Sequence, residues 1–229
     1  MPIQAVLIDL DGTLVDSIPD LAHAANATRI ELGMHSLGQD IIASYVGKGI
    51  DNLIIRSINA SLQEKEIPEA LFRQAKEIFT RHYHQVNGDN TTVYPGVIDG
   101  LKAMKAQNLK LAVVTNKSEE FTLPLLSQTG LGGFFDLIVS GDTCSRKKPH
   151  PEPLLYACEK LGSTPENSIF IGDSINDVQA ANAAGMPVLL LPYGYNEGTG
   201  VQNLKVSAII DDMTGAAQWI THQGLANQG

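Results

Sequence analysis

The feature that most constrains this chain is the alternation of short, wholly apolar runs with segments of helical periodicity. Apolar runs at residues 5–10, 109–115, 137–140, 169–172, 188–191 and, more weakly, 208–210 read as strands. Runs such as Val6-Leu7-Ile8 show no polar alternation, which suits strands buried on both faces, as in parallel sheets. Between them, Val97, Leu101 and Met104 share one helical face, as do Ile175 with Val178 and Leu154 with Cys158 and Leu161. Strand–helix alternation is the mark of βαβ units, so the expected fold is α/β with a doubly wound parallel-sheet core.

One stretch breaks the pattern. From Ser17 to Asn90 there are helical segments but no convincing strand. Pro19 fits the first turn of a helix, with Asp16 or Ser17 as its cap. A later helix carries Leu71, Ala75 and Ile78 on one face, and a polar segment at 87–92 closes the region before Tyr94-Pro95-Gly96. The expected organisation is a core of residues 1–16 and 91–229, with residues 17–90 inserted after the first strand as an α-helical cap. A chain of 229 residues accommodates one such core and a small insertion.

Charge narrows the partners. The chain has 25 acidic and 16 basic residues, a formal net charge of −9. Its densest basic cluster, Arg146-Lys147-Lys148, is too short for binding that relies on phosphate neutralisation, so no nucleic-acid partner is expected. No apolar stretch approaches the ~20 residues of a membrane helix. The chain opens Met-Pro-Ile-Gln with no basic leader, and its two cysteines, Cys144 and Cys158, suit a reducing compartment. A cytoplasmic protein acting on a small molecule is the expectation.

The residues that carry chemistry stand at strand ends. Asp9-Leu10-Asp11-Gly12-Thr13 follows the first apolar run, and two carboxylates at i, i+2 of a strand point to one side. That placement is unfavourable unless a cation neutralises them, and Mg²⁺, with its oxygen ligands, would do so. Turn and cap aspartates before a helix are the structural alternative. Thr115-Asn116 ends a second strand and Gly172-Asp173-Ser174-Ile175-Asn176-Asp177 a third. In doubly wound folds ligands bind outside the carboxyl ends of the strands, so Asp9, Asp11, Thr115, Asp173 and Asp177 should share one rim. Lys148, in Lys147-Lys148-Pro149-His150-Pro151, would supply a cation there, although a solvated loop lysine has the same sequence. His82 and His84, at i, i+2 on a helix, face apart and make a poor metal pair.

In this order, Asp9-Leu-Asp-Gly-Thr, Thr115-Asn116, Lys148-Pro149 and Gly172-Asp173-Ser174-x-x-Asp177 resemble the four motifs of haloacid dehalogenase superfamily phosphatases. More narrowly, Asp16-Ser17, Val114-Thr-Asn-Lys, Lys147-Lys-Pro-His-Pro and Tyr193-Gly-Tyr-Asn resemble bacterial phosphoglycolate phosphatases. The resemblance implies that Asp9 attacks phosphorus to form an aspartyl-phosphate and that Asp11 serves as acid and then base. It implies Mg²⁺ held by the Asp9 carboxylate, the Asp11 carbonyl and Asp173, supported by Asp177. Thr115 and Lys148 would hold the phosphoryl oxygens, with the backbone after Asp9 and at Asn116 adding donors. The substrate would be a small phosphorylated metabolite, 2-phosphoglycolate first, with a sugar phosphate or a β-phosphoglucomutase-like transfer as alternatives. A receiver-like phospho-accepting module also combines acids, a Thr and a Lys, but lacks a large insertion. In the cap, Val46-Gly47-Lys48-Gly49 offers backbone amides and Lys48 for a substrate anion. An ordinary glycine-rich turn reads the same way.

Overall fold

The computed structural model describes residues 2–62, 66–195 and 204–226. Six strands, β1 (Ala5–Ile8), β4 (Lys110–Val114), β5 (Leu137–Val139), β6 (Ser168–Gly172), β7 (Val188–Leu190) and β8 (Ala208–Ile209), form one sheet in the order β5-β4-β1-β6-β7-β8. Every neighbouring pair is parallel. The strands start or stop within two residues of the apolar runs. β1 ends at Ile8 rather than Leu10, whose side chain is buried in the turn beyond.

Alternation sorts the strand residues onto two faces. Val6, Ile8, Leu111, Val113, Ile169 and Ile171 pack on one side, against Val97, Leu101 and Met104 of α5 (Val97–Ala106) and Met213 and Ile220 of α9 (Met213–Ala226). Ala5, Leu7, Ala112, Val114 and Phe170 pack on the other side. Their partners are Leu154, Cys158 and Leu161 of α7 (Glu152–Leu161) and Val178 of α8 (Ile175–Ala184). Burial on both faces is why these strands carry no polar alternation.

Four helices, α1 (Ile18–Glu31), α2 (Gln39–Ala43), α3 (Ile50–Leu62) and α4 (Glu69–Val86), bury an apolar cluster of their own. Ile18, Leu21, Ile42, Leu53, Ile54, Phe79 and Tyr83 fill it, and Phe121 enters from α6 (Glu119–Gln128). The chain leaves for these helices and returns from them along a two-strand antiparallel ribbon, β2 (Val15–Asp16) with β3 (Thr92–Val93). Asp20, fully buried near the start of α1, ties the return path down. Its carboxylate accepts from Gly88 N at 3.1 Å, Asn90 N at 3.0 Å and Thr91 Oγ1 at 2.7 Å.

The strand order fixes where a ligand can sit. From β1 the sheet runs to β4 on one side and to β6 on the other, so loops leaving these three strands diverge and open a crevice at their carboxyl ends.

Candidate active site

Asp9, Thr115 and Asp173 are each the first residue past β1, β4 and β6. Sheet pairing continues onto two of them: Asp9 N donates to Ile171 O at 3.0 Å and Thr115 N to Val139 O at 2.9 Å. Their backbones are thereby fixed at the rim of the crevice.

Lys148 enters this rim and is almost fully buried. Its ammonium lies 2.9 Å from Asp9 Oδ1 and 2.7 Å from Asp177 Oδ1. Asn116 holds the lysine by its main chain: Oδ1 accepts from Lys148 N at 3.0 Å, and Nδ2 donates to Lys148 O and Gly47 O, both at 2.9 Å. The Asn116 side chain is therefore committed to the protein, leaving its backbone for a ligand. Asp177, in the first turn of α8, completes a capping box with Ser174, its Oδ2 accepting from Asp173 N, Ser174 N and Ser174 Oγ at 3.1, 3.0 and 2.8 Å. Asp173 accepts from Thr13 Oγ1 and Tyr195 N, both at 2.6 Å.

The sequence expectation that Asp9 and Asp11 project together as strand neighbours needs correction. β1 has ended before either, and Gly12 turns the chain at φ +87°. Asp9 faces Lys148, whereas Asp11 meets Lys117 Nζ at 3.1 Å and Ser17 Oγ at 2.5 Å. Ser17 stands at the α1 N-cap position, yet makes no side-chain cap, because its hydroxyl goes to Asp11. Asp9, Asp11, Thr115, Asn116 and Lys117 floor a pocket roofed by Leu21, Val46, Ile50, Leu53, Tyr83 and Phe121. Gly47 and Gly49 line it too, but Lys48 is exposed and is not among the lining residues. His82 and His84 pair apart, with Glu31 and Glu120. Tyr193 and Tyr195 reach the site by hydrogen bonds to Thr13 O and Asp16 Oδ1, while Asn196 of the same motif lies outside the described residues.

Tyr83 was not singled out in the sequence, and Thr13, Ser17 and Lys117 stood there only as members of motifs, with no site role of their own. A tyrosine four residues from Phe79 on a buried stripe was the available signal, since a buried hydroxyl needs a partner. For Lys117 the signal was its position immediately after Thr115-Asn116.

Electrostatics set the demand on this site. Four carboxylates, Asp9, Asp11, Asp173 and Asp177, stand with two ammonium groups, Lys117 and Lys148. Burial pushes the Asp9 carboxyl up to about 7; Lys148 opposes the shift and Asp177 adds to it. Burial, then Asp177 and Asp9, drive Asp173 well above the ordinary carboxylate range. Burial works against the charge on Lys148, but Asp177 and Asp9 outweigh it and raise its pKa. A divalent cation would relieve the acidic surplus. One oxygen each from Asp9, Asp173 and Asp177 lies within 4.8 Å of the others. Two oxygens on one Mg²⁺ span at most about 4.2 Å, so the donor set fits an ion after small adjustment. Asp177, with both oxygens already accepting, suits support more than direct ligation.

The haloacid dehalogenase-like hydrolase family model matches residues 6–191. A phosphoglycolate phosphatase of Nitrosospira multiformis is 48% identical over 220 residues, covering 96% of this chain and 96% of that protein. One from Thiobacillus denitrificans is 45% identical over 221 residues, covering 96% and 97%. A crystal structure of a predicted phosphoglycolate phosphatase from Haemophilus somnus superposes with a TM-score of 0.90 at 35% identity, covering 95% of this chain and 97% of that one. With the motif residues gathered on one rim of a matching fold, the chain belongs to the haloacid dehalogenase-like hydrolases.

Proposed function

We propose that this hydrolase removes phosphate from a small phosphomonoester, 2-phosphoglycolate first, through an aspartyl-phosphate on Asp9. The observation that carries the proposal is the buried carboxylate of Asp9 at the sheet switch point, paired with Lys148 and open to the pocket. Asp9 would attack phosphorus in line, displacing the alkoxide. Asp11 would give the departing oxygen a proton and then take one from the water that cleaves the acyl phosphate. Thr115 and Lys148 would hold the phosphoryl oxygens, with backbone N–H groups of the same loops. Asp9 and Asp173, with the Asp11 carbonyl and support from Asp177, would hold Mg²⁺, which when bound offsets the negative charge of the phosphoryl group.

The helical layer would serve as the cap, excluding water from the pocket. Its roof is largely apolar, but Gly47, Gly49 and Ser118 also line the pocket and would offer polar groups to the carboxylate of a short glycolate leaving group. The relatives named phosphoglycolate phosphatase support the same choice.

The test is turnover of a panel containing 2-phosphoglycolate, hexose phosphates and an aryl phosphate, by the native chain and by Asp9→Asn. Preference for 2-phosphoglycolate is expected, with at least a thousandfold loss in the variant, on the order found when a catalytic nucleophile is removed. Higher kcat/KM for a hexose phosphate would overturn the substrate, and an active Asp9→Asn would overturn the nucleophile.

A further inference from the structure

Lys117 is a buried cation that the chemistry above leaves unused. Its ammonium is 3.1 Å from Asp11 Oδ1 and donates to the Tyr83 hydroxyl at 2.5 Å. Tyr83 comes from the other layer of the molecule, on α4. Its ring is wedged between Phe79 and Phe121, with centroids 5.5 and 4.7 Å away. Asp11 is gripped unevenly. Oδ1 accepts from both Ser17 Oγ at 2.5 Å and Lys117, whereas Oδ2 has only a long contact to Lys117, at 3.4 Å. A carboxylate held at one oxygen is fixed in rotation and keeps the other available to exchange a proton.

We propose that Tyr83 and Lys117 are positioning residues that lock Asp11 Oδ1 and present Oδ2 to the leaving oxygen. Because Tyr83 rides on α4, the acid is in place only when the helical layer is seated on the sheet. The inference rests on Asp11 acting as the acid of the proposed reaction. A lysine that merely neutralised a buried carboxylate would serve stability alike for every substrate. A lysine that orients an acid matters in proportion to how badly the leaving group needs its proton.

The experiment compares kcat/KM for three esters: 2-phosphoglycolate, propyl phosphate and p-nitrophenyl phosphate. The first two expel alkoxides that require protonation, and the third expels a stable phenolate. General acid catalysis contributes about 10²–10⁴-fold where a proton is required, so Lys117→Met should lose about 100-fold on both alkyl esters and less than about fivefold on the aryl ester. Tyr83→Phe keeps the ring packing and should show the same pattern at about tenfold. Equal losses on all three esters, in either variant, would make the pair structural and overturn the proposal. Loss confined to 2-phosphoglycolate would assign Lys117 to the substrate's carboxylate and overturn it as well. Asp9→Asn run alongside keeps the two levels apart: residual turnover there sinks the proposed reaction, whatever Lys117 does.

Discussion

Asp173 has the tightest surroundings of the acidic group. A Cβ placed on Gly194 would fall 2.3 Å from Asp173 Cβ and 2.4 Å from its Oδ2, and one on Gly12 would fall 2.5 Å from the same oxygen. Two glycines thus leave room for the carboxylate to stand where it faces Asp9. Gly194→Ala should push Asp173 aside and weaken divalent-cation affinity by about 10–100-fold, the usual cost of disturbing the groups that orient a ligand. Gly133→Ala, where a Cβ would meet nothing within 4 Å, is the matched control. Calorimetric titration with Mg²⁺ reads the difference, and equal affinities would remove Asp173 from the ion's site. Asp9, Thr115 and Asp173 were legible in the sequence because each stands at a strand end, and Lys148 because it sits in a proline-stiffened loop beside them. The pairing of Lys117 with Tyr83 and Asp11 was not, because these residues meet only after the chain folds: 34 residues separate Lys117 from Tyr83, and 106 separate it from Asp11.

At the scale of elements, one buried carboxylate ties down the path by which the chain returns from the helices to the sheet. Asp20 on α1 binds the backbone of residues 88 and 90 and the hydroxyl of Thr91, just before the chain re-enters at β3. Hydrogen bonds to a charged group are worth about 1.5–3 kcal/mol each, but this loop is partly exposed and water would replace some of them. Asp20→Ala should therefore cost about 3 kcal/mol, read as a lower urea midpoint. A loss below about 1 kcal/mol would mean that the ribbon and apolar packing hold the junction alone. The parallel strands were legible because burial on both faces leaves an unbroken apolar signature. The β2–β3 ribbon was not, since two residues per strand carry no periodicity. The carboxyl end of β1 was overread for a related reason: Leu10 is as buried as Ile8, but it fills a turn.

Across the whole molecule, the acidic cluster ties protonation to stability, and a bound ion would join the same balance. The Asp9 carboxyl titrates at about 7 in the folded chain, against its ordinary 3.8, chiefly because burial penalises its charge. Between those values the folded state holds a proton that the unfolded chain has released. Stability from Asp9 is therefore present in full below about pH 4 and declines as pH rises towards 7. Asp173, shifted in the same direction by burial and its acidic neighbours, adds to the decline. The lowered carboxyls of Glu31, held by His82 and Arg81, and of Asp136, held by its bonds to Leu111 N and Lys105 against the opposing effect of burial, act at the acid end. Their contribution is lost only as pH falls below the ordinary carboxylate range. Mg²⁺ held at Asp9, as proposed, would compete with the proton there, and at 100 times its dissociation constant it would stabilise by about 2.7 kcal/mol. The increment in Tm on adding Mg²⁺ should be small at pH 5 and large at pH 8, and Asp9→Asn should reduce the pH 8 increment. An increment equal at both pH values in the native chain would place the ion away from Asp9, because only a site whose ligands exchange protons in that interval can bind in proportion to their loss.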